Sequence, residues 1–261
     1  MKKLSIIIPS FNSEKTIRAC IESVVAECKT IETEYEILVV DDGSSDASPK
    51  IIQELADENK NIVYIHQENA GPSSARNKGL SCVSGDFIAL NDSDDVWLQG
   101  KLKVQLQYLE EHKDVDLVTC QYGNSVMSSK AKIITFKDMA FHNYFSTMTV
   151  LFRNCIKEIR FPEDMKYSED MRFFLTIMLK HKCAYIPFMA AQNFYSEDLF
   201  RETGLSSRLG KMEKGELSNI FYIFKEKKIS FPVYLCAICF SLMKFLRRCL
   251  FYCVRKIQNK K

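Results

Sequence analysis

The first 120 residues alternate short apolar runs with longer segments whose apolar residues recur at helical spacing, and this rhythm constrains the fold more than any single residue does. Residues 4–9, 36–42, 62–66, 86–91 and 115–122 are rich in Ile, Val and Leu and predict strands. Between them, residues 16–28, 48–59, 73–81 and 101–112 predict helices, most beginning near Ser, Pro or an acidic residue. Apolar strands alternating with helices belong to an α/β fold with a mostly parallel central sheet flanked by helices. Ligands of such sheets bind outside the carboxyl ends of the strands. Here those ends carry Pro9-Ser10-Phe11-Asn12, Asp41-Asp42-Gly43-Ser44 and Asn91-Asp92-Ser93-Asp94-Asp95, so polar chemistry gathers where the topology puts a site.

From residue 123 to about 195 the pattern is mixed, with strands expected at 133–136, 148–152 and 184–187 and a helix at about 169–181. Neither an internal repeat nor a Gly/Ser linker divides the chain. The charge does change along it: residues 211–261 hold twelve Lys and Arg against three Glu, a balance of +9, which leaves −6 of the total +3 to residues 1–210. That change alone sets the expected boundary, a catalytic body over 1–210 and a basic tail over 211–261. An acidic body suits metal-assisted handling of phosphates, and a basic, aromatic-rich tail suits an anionic surface. The longest uncharged apolar run, residues 233–243, falls short of the roughly 20 residues that span a bilayer. The apolar stretch after Met1-Lys2-Lys3 is too short for a signal peptide, and ten scattered cysteines suit reduced thiols, so the expected location is cytoplasmic. At 46% hydrophobic and 26% charged residues, the composition excludes a disordered or low-complexity chain.

The nine glycines lie too far apart for a P-loop or a G-x-G-x-x-G turn. A diphosphate can instead be met by a divalent cation on carboxylates, and Asp92-Ser93-Asp94-Asp95 supplies three just past an apolar strand. Hard oxygen ligands favour Mg²⁺ or Mn²⁺. The same residues, extended to Val96, also fit the D-x-D-x-[TV] of aspartyl phosphatases, although several α/β units precede them here.

The order of the motifs resembles family 2 glycosyltransferases of the GT-A fold over roughly residues 4–205. The opening Ser5-Ile6-Ile7-Ile8-Pro9-Ser10-Phe11-Asn12 is similar to the family's first strand and P-x-[YF]-N turn. Val40-Asp41-Asp42-Gly43-Ser44-Ser45-Asp46 is similar to its V-D-D-G-S-x-D. Asn69-Ala70-Gly71-Pro72-Ser73-Ser74-Ala75-Arg76-Asn77-Lys78-Gly79 follows its N-x-G-x-x-x-A-R-N-x-G, and then come Asp92-Ser93-Asp94-Asp95 with Trp97, and Ser168-Glu169-Asp170. Two departures stand out: Asn91 where an apolar residue is usual, and Gln99-Gly100 where Pro-Glu often follows.

This resemblance implies an inverting transferase that uses a nucleotide diphosphate sugar, a UDP-sugar being the expected donor, and a hydroxyl acceptor on a glycan or glycolipid in cell-surface polysaccharide or lipopolysaccharide assembly. Pro9, Phe11 and Asn12 would line the base, Asp41 and Asp42 would sit beside it, and Asp92 would lie near the ribose. Arg76 would hold the donor site together, Asp94 with Asp95 would ligate Mn²⁺ or Mg²⁺, and Asp170, supported by Glu169, would be the base. Trp97 is the only tryptophan, so the Q-x-x-R-W element of processive synthases is absent and one sugar at a time is expected. In the tail, Leu242, Met243, Leu246, Cys249, Leu250, Cys253 and Ile257 share one helical face, and Lys244, Arg247, Arg248 and Arg255 gather on another. Such a helix lies in an anionic membrane interface, so a peripheral membrane association on the cytoplasmic face is expected. No nucleic-acid module accompanies the basic stretch. A non-catalytic scaffold that merely holds a nucleotide sugar is the alternative from the binding class.

Overall fold

The computed structural model describes residues 2–123, 127–194 and 208–258, with side chains to 250. The alternation holds: β1 (Lys3–Ser10), α1 (Ile17–Cys28), β2 (Glu34–Asp42), α2 (Ser48–Glu58), β3 (Ile62–Gln67), α3 (Pro72–Cys82) and β4 (Phe87–Leu90) follow in turn. Then come β5 (Asp95–Trp97), α4 (Lys101–Glu111), β6 (Leu117–Tyr122), β7 (Lys132–Ile133), α5 (Phe136–Phe141), β8 (Val150–Arg153), α6 (Glu169–Met178), β9 (Cys183–Asn193), α7 (Leu209–Lys225) and α8 (Phe231–Gln258). The described strands form one sheet in the order β3-β2-β1-β4-β8-β6-β9-β5, with β7 paired to β9. It is parallel from β3 through β4 and mixed beyond, because β8 runs antiparallel to both β4 and β6.

Strand β1 lies inside the parallel half and is buried on both faces. Ile6 and Ile8 join the core under α1 and α2 with Ile37, Val39 and Ile52, whereas Ile7 joins the opposite core with Leu38, Leu80 and Phe173. The register aligns the strand ends: Ser10 pairs with Asp41, Asp41 with His66, and the Asn91 N–H donates to the Ile7 carbonyl. A Cβ on Gly79 would lie 2.4 Å from Ile7 Cγ2, so glycine lets α3 lie directly on β1. That close approach carries Arg76, one turn earlier, to the strand ends.

The mixed half departs from the expected elements. The strand expected at 133–136 stops at Ile133, because Thr135 caps α5 in a reciprocal capping box with Asp138. Strand β9 continues past Pro187 to Asn193 through register shifts opposite Cys120 and Gln121, an irregularity that accommodates a proline within a sheet. The three-residue β5 was too short for periodicity to mark. Helices α7 and α8 are not a single extended tail. Ile220, Ile223, Ile229 and Ala237 enter the core that holds Phe173 and Phe174. Among the described residues no helix is long and apolar enough to cross a membrane.

Candidate active site

Two turns, one after β1 and one after β2, brace each other at the strand ends. Asn12 adopts a left-handed backbone (φ 48°), its N–H donates to Ser44 Oγ at 2.9 Å, and its Oδ1 accepts from the Ser45 N–H at 2.9 Å. Pro9 is buried in the ladder opposite Val40, while Phe11 stands 50% exposed beside this turn, an accessible ring at the mouth of the sheet. Asp41 is fully buried and accepts from the Ser44 N–H and the Tyr64 hydroxyl, with His66 Nδ1 at 3.1 Å. Asp42 accepts from the Ala70 and Gly71 N–H groups at 2.9 and 2.8 Å and from Gln67 Nε2 at 2.7 Å. Asp42 thus shapes the loop between β3 and α3, whereas Asp41 ties the turn after β2 to the side chains of β3.

Arg76 joins sequence motifs that lie far apart in the chain. Its side chain is 8% exposed; Nη2 donates to Asp92 Oδ1 at 2.8 Å, and Nη1 lies 3.8 Å from Glu169 Oε1. Thr147 Oγ1 donates to the other oxygen of Asp92 at 2.6 Å. Burial opposes the charge on Arg76, but Asp92, Glu169 and Asp170 outweigh it and hold its pKa above the usual arginine value. Its Nε and Nη1 are buried without a hydrogen bond among the described residues, so donor capacity remains between β4 and α6.

Beyond Asp92 the loop divides. Asp94 is half-buried, and its carbonyl accepts from the Phe194 N–H at 3.0 Å. Asp95 starts β5 and is buried; its Oδ1 accepts from the Tyr122 hydroxyl at 2.7 Å. The unusual Asn91 is buried too, donating through Nδ2 to Cys20 Sγ and the Asp95 carbonyl, both at 3.2 Å. An apolar residue there could not hold the turn in this way.

The acidic pair opens α6. Ser168, just before it, is forced into a left-handed conformation (φ 57°), and its carbonyl accepts from Asn219 Nδ2 on α7 at 2.9 Å. Burial, then the neighbouring Asp170, push Glu169 up to about 7. Burial also raises Asp170, partly offset by the Met171 N–H and by Arg76. A carboxyl raised from 4.5 to about 7 favours the folded state while protonated, fully below about pH 4.5, and that stability is lost as pH rises through about 7. Glu169→Gln keeps the neutral form at every pH. Its melting temperature should therefore rise relative to the unaltered chain between pH 5 and 8, with a difference on the order of 1–3 kcal/mol above pH 7. Parallel melting curves across that range would refute a raised Glu169.

The structure thus unites Arg76, Asp92, Glu169 and Asp170, while Pro9, Phe11, Asn12, Asp41 and Asp42 line the adjoining edge. Sequence reasoning missed Thr147, Tyr122 and Asn219. Thr147 lies 55 positions from Asp92 and belongs to no motif, so only the fold reveals it. Gly204-Leu205-Ser206, which in sequence only loosely resembles a Ser-containing loop near the family's acceptor site, lies outside the described residues.

Residues 5–165 match the family model described as Glycosyl transferase family 2. The chain is 30% identical over 239 residues to UDP-Glc:alpha-D-GlcNAc-diphosphoundecaprenol beta-1,3-glucosyltransferase WfgD of Escherichia coli, covering 84% of this chain and 90% of that one. It is 32% identical over 194 residues to minor teichoic acid biosynthesis protein GgaA of Bacillus subtilis (strain 168), covering 68% of this chain but only 44% of GgaA. Among solved structures it is similar to mannosyltransferase PcManGT from Pyrobaculum calidifontis in complex with GDP-Man and Mn²⁺, with a TM-score of 0.68 and 15% identity over 92% of this chain and 73% of that one. At that identity the likeness shows the fold, a GT-A-type sheet with flanking helices.

Proposed function

Because the chain belongs to glycosyl transferase family 2, we propose that it moves a single sugar, with inversion, from a nucleotide diphosphate sugar to a hydroxyl of a glycan or glycolipid in cell-surface polysaccharide assembly. The observation that carries this reading is Arg76, buried between Asp92 at the donor end of the sheet and the Glu169-Asp170 pair. Phe11 stacks on the base, with Pro9, Asn12, Asp41 and Asp42 forming the surrounding edge, and Asp92 takes the ribose. A UDP-sugar is the favoured donor, in keeping with the UDP-Glc in the name of WfgD. The carboxylate oxygens of the Asp92 loop suit a hard divalent ion, Mn²⁺ or Mg²⁺. Asp94 would hold it, and Asp95, engaged by Tyr122, would contribute second; the ion would neutralise the diphosphate leaving group.

In the reaction Asp170 accepts the proton of the acceptor hydroxyl as that oxygen bonds to the anomeric carbon. The bond from that carbon to the diphosphate oxygen breaks, and the nucleoside diphosphate leaves with the electron pair. Glu169, 3.8 Å from Arg76, supports Asp170 from the adjoining position at the start of α6. The phosphatase alternative would need Asp92 as nucleophile, yet both its oxygens are engaged by Arg76 and Thr147. The deciding experiment incubates the chain with a panel of UDP-, GDP- and dTDP-sugars and measures Mn²⁺-dependent binding and slow hydrolysis. Turnover of one donor, lost with chelator and in Asp94→Ala, is expected. Rapid release of phosphate from simple phosphomonoesters, without turnover of any nucleotide sugar, would overturn the reading.

The final helix supports a peripheral contact with an anionic membrane. Leu242, Met243, Leu246 and Leu250 on α8 are 42%, 60%, 60% and 67% exposed. Lys244 and Arg248 turn inward instead, to Glu216 at 2.5 Å and to Glu213 at 2.9 Å. The apolar stripe therefore supplies the insertion, and the basic residues that follow supply attraction to anionic lipid. Replacing Leu246 and Leu250 together by Glu should weaken binding to vesicles of 30% phosphatidylserine at least about tenfold, since each leucine side chain contributes roughly 1.5–3 kcal/mol on burial. Equal binding by both proteins would remove the stripe from the membrane contact.

A further inference from the structure

One face of Asp170 opens into a pocket whose α5 side falls within the family match over residues 5–165, whereas the rest of its lining, from Ser168 to Lys244, lies beyond that match. The cavity holds about 170 Å³ and lies between the end of α5, the start of α6 and the two C-terminal helices. Its apolar walls include Met171 and Met212, and its polar lining includes Asp170, His142, Glu216 and Lys244. We propose that this pocket receives the acceptor's terminal sugar and that α7 and α8 build it. The inference rests on the reading of Asp170 as the base, and it adds where the acceptor lies and what kind of sugar it is.

The chemistry of the lining selects the ligand. Thioether walls opposite carboxylate and ammonium groups suit a ring with an apolar face and hydroxyl edges. At about 170 Å³ the pocket is smaller than the roughly 300–1,000 Å³ of drug-sized sites, so it takes one ring. Lys244 is already paired with Glu216 at 2.5 Å, and Asp170, the other carboxylate of the lining, shares the Arg76 guanidinium with Asp92 and Glu169, so the surroundings keep an excess of negative charge. A uronic acid or a phosphate would meet net negative charge here. The sugar is therefore an uncharged hexose or N-acetylhexosamine, with one hydroxyl on Asp170 and others on the Lys244–Glu216 pair.

The packing of α7 supports this role. A Cβ on Gly215 would lie 2.6 Å from the Tyr167 carbonyl oxygen and 2.9 Å from Ser168 Oγ. Asn219, fully buried one turn later, donates to the Ser168 carbonyl and accepts from Arg172 Nε at 2.8 Å. Glycine and asparagine thus seat α7 directly on the strained residue that precedes Glu169 and Asp170. The helix that walls the pocket also fixes the backbone that aims the base.

The test uses the full chain, the donor found by nucleotide-sugar hydrolysis, and p-nitrophenyl β-glycosides of glucose, galactose, N-acetylglucosamine and glucuronic acid as acceptors. At least one neutral glycoside should be glycosylated and the glucuronide should not. Met212→Trp, which fills the pocket, and Lys244→Met, which keeps the stem and removes the charge, should each raise the acceptor KM tenfold or more, while the donor KM moves less than about twofold; tenfold corresponds to about 1.4 kcal/mol, one polar contact. In a second measurement, iodoacetamide should label Met212→Cys more slowly when the accepted glycoside is present. Unchanged acceptor KM in both variants, a preferred glucuronide, or no transfer and no protection by any neutral glycoside would overturn the pocket assignment. Absence of hydrolysis of every nucleotide sugar by the unaltered chain would instead overturn the underlying transferase reading.

Discussion

Asp170→Asn should lower turnover on the order of 10²- to 10⁴-fold, the usual share of a general base, while donor affinity and melting temperature stay near those of the unaltered chain. Asparagine keeps the size of the side chain and can still accept the Met171 N–H that bonds Asp170, but it cannot take up a proton. Burial already disfavours the charged carboxylate at this position, so its removal does not cost the fold a stabilising charge. If Asp170 served only to complement the dipole of α6, the change would cost about 0.3–1 kcal/mol of stability and little turnover. The measurement is turnover at saturating donor and acceptor, with donor affinity and melting temperature alongside. Near-normal turnover with a slightly lowered melting point would transfer the assignment to Glu169.

Arg76→Met should destabilise the fold by about 3–5 kcal/mol at neutral pH, the cost of removing one partner from a buried ionic cluster. Methionine fills much of the space of the arginine stem but leaves Asp92, Glu169 and Asp170 without their shared cation. The deficit should shrink as pH falls towards 5, because Glu169, pushed up to about 7, becomes neutral and no longer needs the guanidinium. Urea denaturation at pH 5 and pH 7.5 gives both numbers. An exposed arginine pair contributes only about 0–1 kcal/mol, so a loss below about 1 kcal/mol at pH 7.5, or a deficit independent of pH, would remove Arg76 from the centre of the cluster.

Three levels of organisation meet at this residue. The sequence A-R-N-x-G puts Arg76 and Gly79 one helical turn apart. Gly79 permits the close seat of α3 on β1, and this seat brings the guanidinium to the ends of β1 and β4. The rest of the cluster, Thr147 on Asp92 and Glu169 and Asp170 around the guanidinium, arrives from segments much later in the chain.

The sequence alone determined the parallel half of the sheet, because residues 4–9, 36–42 and 86–91 must hide apolar runs from water on both faces, which flanking helices do, with 62–66 as its half-exposed edge. It also determined that Asp41, Asp42, Asp92 and Asp94 gather at one edge, since parallel strands in register end on the same side. Tertiary structure decided the rest. Asp95 reads like Asp94 in the sequence, yet pairing of β5 with β9 turns it onto Tyr122, because a three-residue strand has no local periodicity and takes its direction from its partner. The 211–261 segment reads as a basic amphipathic helix, but a hairpin of two helices lets Glu213 and Glu216 draw Lys244 and Arg248 inward and leaves the leucines of α8 outside. Charge pairing between helices depends on where the chain reverses. Lys227 in a left-handed backbone and Pro232 in the first turn of α8 mark the reversal locally, but which charges it brings together is settled by packing against the core.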